Sequence, residues 1–227
     1  MSTRREANLA LFSVIVAGAI PRIGTAAELQ ALALPPPKTE GGKPLMEALK
    51  ARHSTREFAD RQLEPQMLSN LLWAAWGINR SQSGLRTAPS SQACMDIDLY
   101  LAMSNGVWIY DPKTHSISRL MPDDVRGETT TGQDYVKTAP LNLIYVSDAA
   151  RMKDPSGPDR ALTGIADSAV IGQNVYLFCA SEGLGAVLRA SVPGAKLAQR
   201  LNLKRTQAIY FAQSIGYPKG VSGSGDG

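Results

Sequence analysis

Residues 161–181, "ALTGIADSAVIGQNVYLFCAS", constrain the fold of this chain more than any other stretch. From Ile165 to Ala180 the only formal charge is Asp167, and apolar residues fall on every side of a helix. A helix that is apolar all round has to be buried. A chain of 227 residues has few ways to enclose such a helix completely, so a second copy covering part of it is expected.

The elements around it read as α+β. A short helix is predicted through "LMEALKAR", and a longer one through "EPQMLSNLLWAAWGINR", with Pro65 in its first turn and Gly77 at its end. Met67, Leu68, Leu71, Leu72 and Ala75 recur at three- and four-residue spacing and give that helix one apolar face. In "DIDLYLAM" the alternation of Ile97, Leu99 and Leu101 with Asp96, Asp98 and Tyr100 predicts a half-buried strand. "GVWIYDPKTHSISRL" reads as a hairpin turning at Asp111-Pro112-Lys113, and "APLNLIYVSD" as a central strand. A short helix, "GAKLAQRLNL", and a last strand, "TQAIYFAQSIGYP", close the order. Strands and helices do not alternate regularly, which argues against a doubly wound parallel sheet.

The two ends have their own character. Residues 1–27 carry a basic start with Arg4 and Arg5, an uncharged run from Ala7 to Ile20, and small residues at 24–27, the pattern of an export signal. The arginine pair resembles a twin-arginine signal, and the expected location is exported, periplasmic; an uncleaved N-terminal anchor is the alternative reading. Residues 28–43, with three prolines and a Gly-Gly, read as a tether, residues 44–219 as the folded body, and residues 220–227 as a disordered tail. No membrane span is expected in the mature chain.

Charge excludes one class of partner. The net +4 owes +2 to the first 27 residues, and the rest carries 21 basic and 19 acidic side chains without a basic block. Nucleic acid is therefore not an expected ligand. Cys94 and Cys179 have no metal-ligand spacing and read as small buried residues.

Chemistry built from side chains alone has little to work with. No Gly-x-Ser-x-Gly, His-Glu-x-x-His, phosphate loop or GxGxxG motif is present, and His53 and His115 are the only histidines. His115 falls in the predicted hairpin and is expected to be exposed. That scarcity favours chemistry carried by a cofactor. Three clusters supply candidate contacts. "ARHSTREF" offers Arg52, His53, Ser54 and Arg56, and paired guanidiniums beside a hydroxyl suit a phosphate group. "RTAPSSQ" offers hydroxyls and backbone amides in a turn at Pro89, with Ser90 and Ser91. "SEGLGA" places Glu182, Gly183, Leu184 and Gly185 after the apolar helix, where glycines let backbone approach a flat ligand or cap the helix.

Together these segments resemble the nitroreductase family of flavoproteins. "RHSTREF", "RTAPSS", "GQNVYLFCASEGLGAV" and "SIGYPK" appear in the family's order across residues 44–218. "GVWIYDPKTHSI" is similar to the branch of thiazoline and oxazoline dehydrogenases. The resemblance implies a mostly antiparallel central sheet flanked by helices, with a long buried central helix. It also implies a homodimer with FMN at the interface. Arg52, His53, Ser54 and Arg56 would contact phosphate, ribityl chain and pyrimidine edge; Pro89, Ser90 and Ser91 would form the second flavin loop. Glu182 to Gly185 would lie against the ring, and Lys219 would be a basic phosphate contact. The implied activity is FMN-dependent hydride transfer through N5 by a ping-pong mechanism, between a small-molecule donor such as NAD(P)H and an acceptor. A flavin-binding module without turnover and a peptide-modifying azoline dehydrogenase are the other readings. The chain departs from the family at "PSSQACMD", where Ala93 or Cys94 stands near the position of a flavin-contacting asparagine.

Overall fold

The computed structural model describes residues 31–220; the signal expected at 1–27 and residues 221–227 of the expected tail lie outside the described residues. In chain order the elements are β1 (Ala31–Ala33), α1 (Leu45–Ala51), α2 (Pro65–Trp76), β2 (Ile78–Arg80), β3 (Leu85–Arg86), β4 (Ile97–Met103) and β5 (Gly106–Asp111). There follow β6 (Ser116–Met121), α3 (Tyr135–Thr138), β7 (Leu141–Asp148), α4 (Arg160–Glu182), β8 (Gly185–Arg189), α5 (Gly194–Arg200) and β9 (Gln207–Gly216). One seven-stranded sheet runs β1-β6-β5-β4-β7-β9-β8 with every neighbouring pair antiparallel. β2 and β3 pair separately. The α+β, antiparallel architecture expected from the sequence is what forms.

The sheet is covered on both faces, and the alternation along its strands decides which residue meets which layer. Ile97, Leu99 and Leu101 of β4, with Leu141, Leu143 and Tyr145 of β7, pack in the core shared with α2 and α4. Tyr100 and Ala102, with Ile144 and Val146, point into a second core with Val125, Leu197 of α5 and Ile209. β4 is therefore not the half-buried strand that its alternation predicts. Its second face lies under α5 and the segment around Val125, while Asp98 is neutralised by Arg151 at 2.8 Å.

α2 ends where Gly77 stands because any side chain there collides with the helix: a Cβ would lie 2.4 Å from Trp73 Cδ1. Trp76, in the last turn, is buried and donates its indole N–H to the Ile97 carbonyl at 2.8 Å, fixing α2 on β4. α4 buries Gly164, Asp167, Ser168, Ile171, Gly172, Val175 and Cys179 on one face. Leu162, Ile165 and Val170 on its other side remain exposed, so one chain covers only part of this helix. Gly183 ends it with φ +71°, the left-handed conformation expected of a glycine cap.

Residues 31–38 are not a tether. β1 pairs with β6, Leu34 is buried in the main core, and the Pro35 and Pro36 carbonyls accept from Ser69 and Gln66 of α2. Prolines donate no backbone N–H, so Pro35 and Pro36 bind through their carbonyls, while the flanking Leu34 and Lys38 N–H groups donate to the His115 carbonyl and Asn70 Oδ1. His115 is half-buried rather than exposed: Nε2 lies 2.7 Å from Ser69 Oγ, and Nδ1 lies 2.9 Å from the Tyr110 hydroxyl. Both cysteines are free, Cys179 buried and Cys94 half-buried. Among the described residues no helix is long and apolar enough to cross a membrane.

Candidate functional site

α1 stops at Ala51, and the next residues turn along the free edge of β8. Ser54 bridges Ala186 in parallel, and the Thr55 N–H donates to the Ala186 carbonyl at 2.9 Å. Gly185 makes the approach feasible, because a Cβ there would lie 2.6 Å from Thr55 Cγ2. Tyr176 of α4 fixes the segment from behind. Its hydroxyl accepts from the Leu188 N–H at 2.8 Å and lies 3.0 Å from Ser54 Oγ, while the Arg52 guanidinium sits 5.3 Å from its ring centroid. Further on, Phe58 bridges Pro218, and the Lys219 N–H donates to the Glu57 carbonyl at 3.1 Å.

Three of the four expected motif segments thus meet in one chain: residues 52–56, the turn at 182–185 and residues 217–219 after β9. A cavity of 230 Å³ opens among them, bordered by Lys43, His53, Tyr176, Gly183, Ala186 and Pro218. A larger one, 490 Å³, adjoins it through Lys43, Ser181 and Glu182, and is walled by residues 38–43, Trp73, Asn174 and Phe178. Among the described residues none of Lys43, Arg52, Arg56 and Lys219 forms a salt bridge. His53, Ser54 and Arg56 are exposed. Thr55 Oγ1 is buried without a hydrogen-bond partner. Uncompensated cations beside a cleft form an anion-attracting surface.

The second loop lies elsewhere. The Ser91 N–H donates to both carboxylate oxygens of Asp167, at 3.1 and 2.9 Å, and Ser90 Oγ accepts from the Met95 N–H at 2.9 Å. Asp167 and Tyr176 are nine residues apart on α4, so the two anchor points stand about 13 Å apart along the helix axis at 1.5 Å per residue. Pro89 and Ser90 border a separate 370 Å³ cavity with Arg80 and Arg86. Pro89, Ser90 and Ser91 are therefore not brought to the Arg52 cluster within one chain. Gln92, Ala93 and Met95 have φ of 50°, 54° and 50°, a left-handed conformation costly for residues with a Cβ. Ala93 is exposed and Cys94 half-buried where the family's asparagine is expected.

Thr55, Tyr176, Asp96 and Asp167 were not among the expected site residues. Asp167 had a visible signal, as the single charge in an apolar helix. Burial first, and then the neighbouring Asp96, push its carboxyl up to about 6. Tyr176 had none, because one tyrosine in an apolar helix reads as core.

Known proteins share this fold. The nitroreductase family model matches residues 49–217, which spans the Arg52 cluster, the 89–91 loop, α4 and the end of β9. A crystal structure from Ralstonia eutropha JMP134 described as a nitroreductase superposes with a TM-score of 0.79 at 38% identity, covering 88% of this chain and 95% of that one. A Methanocaldococcus jannaschii protein named as a nitroreductase is 29% identical over 170 residues, 70% of this chain and 85% of its own. The NADPH:FMN oxidoreductase of Vibrio harveyi, solved with NAD+, shares the fold at 20% identity and a TM-score of 0.59, covering 77% of this chain and 69% of that one. With three motif segments gathered at one sheet edge and the fourth held on the same helix, this chain belongs to the nitroreductase family.

Proposed function

We propose that this chain is an FMN-dependent oxidoreductase that completes its sites as a homodimer. One observation carries the reading: residues 52–56, 182–185 and 217–219 converge on one cavity at the edge of β8, beside cations that form no salt bridge among the described residues. The residues fit such a cofactor. Arg52, Arg56 and Lys219 would hold a phosphate, and guanidinium forks match its oxygens. Ser54, already held by Tyr176, offers a hydroxyl, and buried Thr55 Oγ1 has unused hydrogen-bonding capacity. Gly183, without a side chain, keeps the turn low against a planar ring. When bound, FMN supplies hydride transfer through N5, alternately taking electrons from a donor such as NAD(P)H and passing them to an acceptor.

The chain's own contribution is to bind, orient and set charge. A cation near the pyrimidine edge favours negative charge there, which is electrostatic work rather than acid–base work. The loop at Pro89, Ser90 and Ser91, about 13 Å along α4 from the Ser54 anchor, would reach the cofactor held by a second copy. The exposed apolar side of α4 supports such a pairing.

The test is an absorption spectrum of purified protein with the released cofactor identified, repeated on Arg56→Ala. The expected result is FMN in the wild type. In the variant, FMN affinity should fall about ten- to hundredfold, the loss of one charge-assisted contact of ~1.5–3 kcal/mol. A wild type that takes up no flavin after reconstitution overturns the reading. Addition of NADPH without oxygen then identifies the donor: bleaching assigns it to NADPH, and a flavin that stays oxidised assigns it to another reductant.

A further inference from the structure

Asp96 and Asp167 form a carboxyl pair that the proposed flavin chemistry does not use. Asp96 is fully buried and Asp167 is 5% exposed. Their carboxylates and Cys94 Sγ all lie within 4.8 Å of one another. The pair is forced together by the packing of α4 on β7. Gly164, one turn before Asp167, is buried, and a Cβ there would lie 2.4 Å from Ser147 Oγ. Ser147 in turn donates to Asp96 Oδ2 at 2.7 Å.

Among the described residues no cation forms a salt bridge with the pair. Arg151 donates to the Asp96 backbone carbonyl and to the Asp98 carboxylate, not to the Asp96 carboxylate. Asp148 follows Ser147, and Tyr210 packs on the Gly164 side of the helix. Lys153, Asp154, Asp159 and Arg160 line a 330 Å³ cavity together with Ser91, Cys94 and Thr163, and none of them forms a salt bridge to the pair. The Cys94 thiol is neutral, held up by burial. Two buried carboxylates at this separation cannot both ionise cheaply, so Asp167 keeps its proton and bonds Asp96.

The same Asp167 grips Ser91 through both carboxyl oxygens. That grip holds a loop with three residues in the left-handed region, which persist only where surrounding contacts over-determine them. We propose that a proton carried by Asp167 and donated to Asp96 docks the Pro89–Met95 loop onto α4, and that losing it loosens the loop and weakens flavin binding. The inference rests on the flavin reading for its last step only. With the proton in place, Asp167 faces Asp96 as a hydrogen-bond donor. With it gone, two adjacent negative charges push Asp167 away, and Ser91 moves with it. Asp167 is thus a positioning residue, acting on the cofactor through Ser91.

The sign follows from linkage. The Ser91 N–H favours the ionised carboxylate, but burial and Asp96 outweigh it and push the Asp167 carboxyl up to about 6 from its ordinary 3.8. The state with the two carboxyls together therefore holds the proton more tightly than the one in which they have parted. Its stabilisation is complete at low pH and is lost as pH rises through about 6.

The test follows the Ser91 amide by NMR in flavin-free protein, and FMN affinity by titration, both from acid to neutral pH. In the wild type the Ser91 signal should move with a midpoint near 6, and FMN affinity should drop severalfold across the same range. Asp167→Asn keeps both contacts of the protonated acid, accepting from Ser91 and donating to Asp96, so both profiles should become flat at the low-pH value. Asp96→Asn removes the repulsion, so FMN affinity should lose its pH dependence while the Ser91 amide follows the ionisation of Asp167 alone with a lower midpoint, which covers a failure of either variant to fold. A Ser91 amide that does not titrate, or an Asp167→Asn protein with the wild-type profile, overturns the inference. Titration of Ser91 without uptake of FMN at any pH supports the docking step and overturns the flavin reading separately.

Discussion

At Gly185 the missing methyl group decides how closely residues 52–56 approach the sheet. Its small size was read from the sequence as room for a flat ligand, whereas in the fold it makes room for Thr55. Gly185→Ala should therefore destabilise the protein by ~1–3 kcal/mol through overpacking, measured by urea unfolding, and weaken FMN binding as the Ser54 segment is pushed outward. His115 is a second residue whose role came only from its neighbours. Burial holds its imidazole below the ordinary 6.5, so the unfolded chain binds a proton more readily. Its contribution to stability is full above about 6.5 and is lost as pH falls below it. A His115→Gln variant should lose that part of the acid sensitivity, read as the slope of unfolding free energy against pH.

Among elements, legibility tracked how local the signal is. α2 begins at Pro65 and ends at Gly77 as read, because a first-turn proline and a closing glycine act within one turn of chain. The β5–β6 hairpin was legible for the same reason. β1 and β8, of three and five residues, are too short for a period-two pattern to register; they exist because β6 and β9 each offer an open edge. The strap that carries β1 reads as a tether because prolines and glycines mark irregular backbone, and composition does not reveal that Leu34 finds a core. Leu34→Ala should cost ~2–5 kcal/mol in thermal or urea unfolding of the full chain, and a negligible loss would show that the strap does not contribute to the fold.

For the whole molecule, the unfinished surface is informative. Leu45, Met46 and Leu49 of α1 and Leu162, Ile165 and Val170 of α4 are exposed apolar side chains in a single chain. Members of this family are commonly homodimers, and stable dimers bury such surfaces. Ile165→Glu combined with Val170→Glu should convert a dimer to a monomer in light scattering while leaving the fold intact, since neither side chain is in the core. FMN should be lost with the dimer, because the loop at Ser91 and the cluster at Ser54 are anchored about 13 Å apart on α4. A variant that is monomeric yet binds FMN as the wild type does would show that one chain holds the whole site.

The sequence by itself determined the α+β class, the apolar stretch from Ile165 to Ala180 of α4 with its single charge, the caps of α2 and α4, and the cationic cluster at 52–56. Each is written in nearest-neighbour terms: periodicity, a capping glycine, a run of guanidiniums. Tertiary structure alone decided that Ser54 lies against Tyr176, that residues 31–38 join the sheet, and that Asp96 meets Asp167. Those contacts join residues tens of positions apart, through packing such as Gly164 against Ser147, which no local pattern encodes.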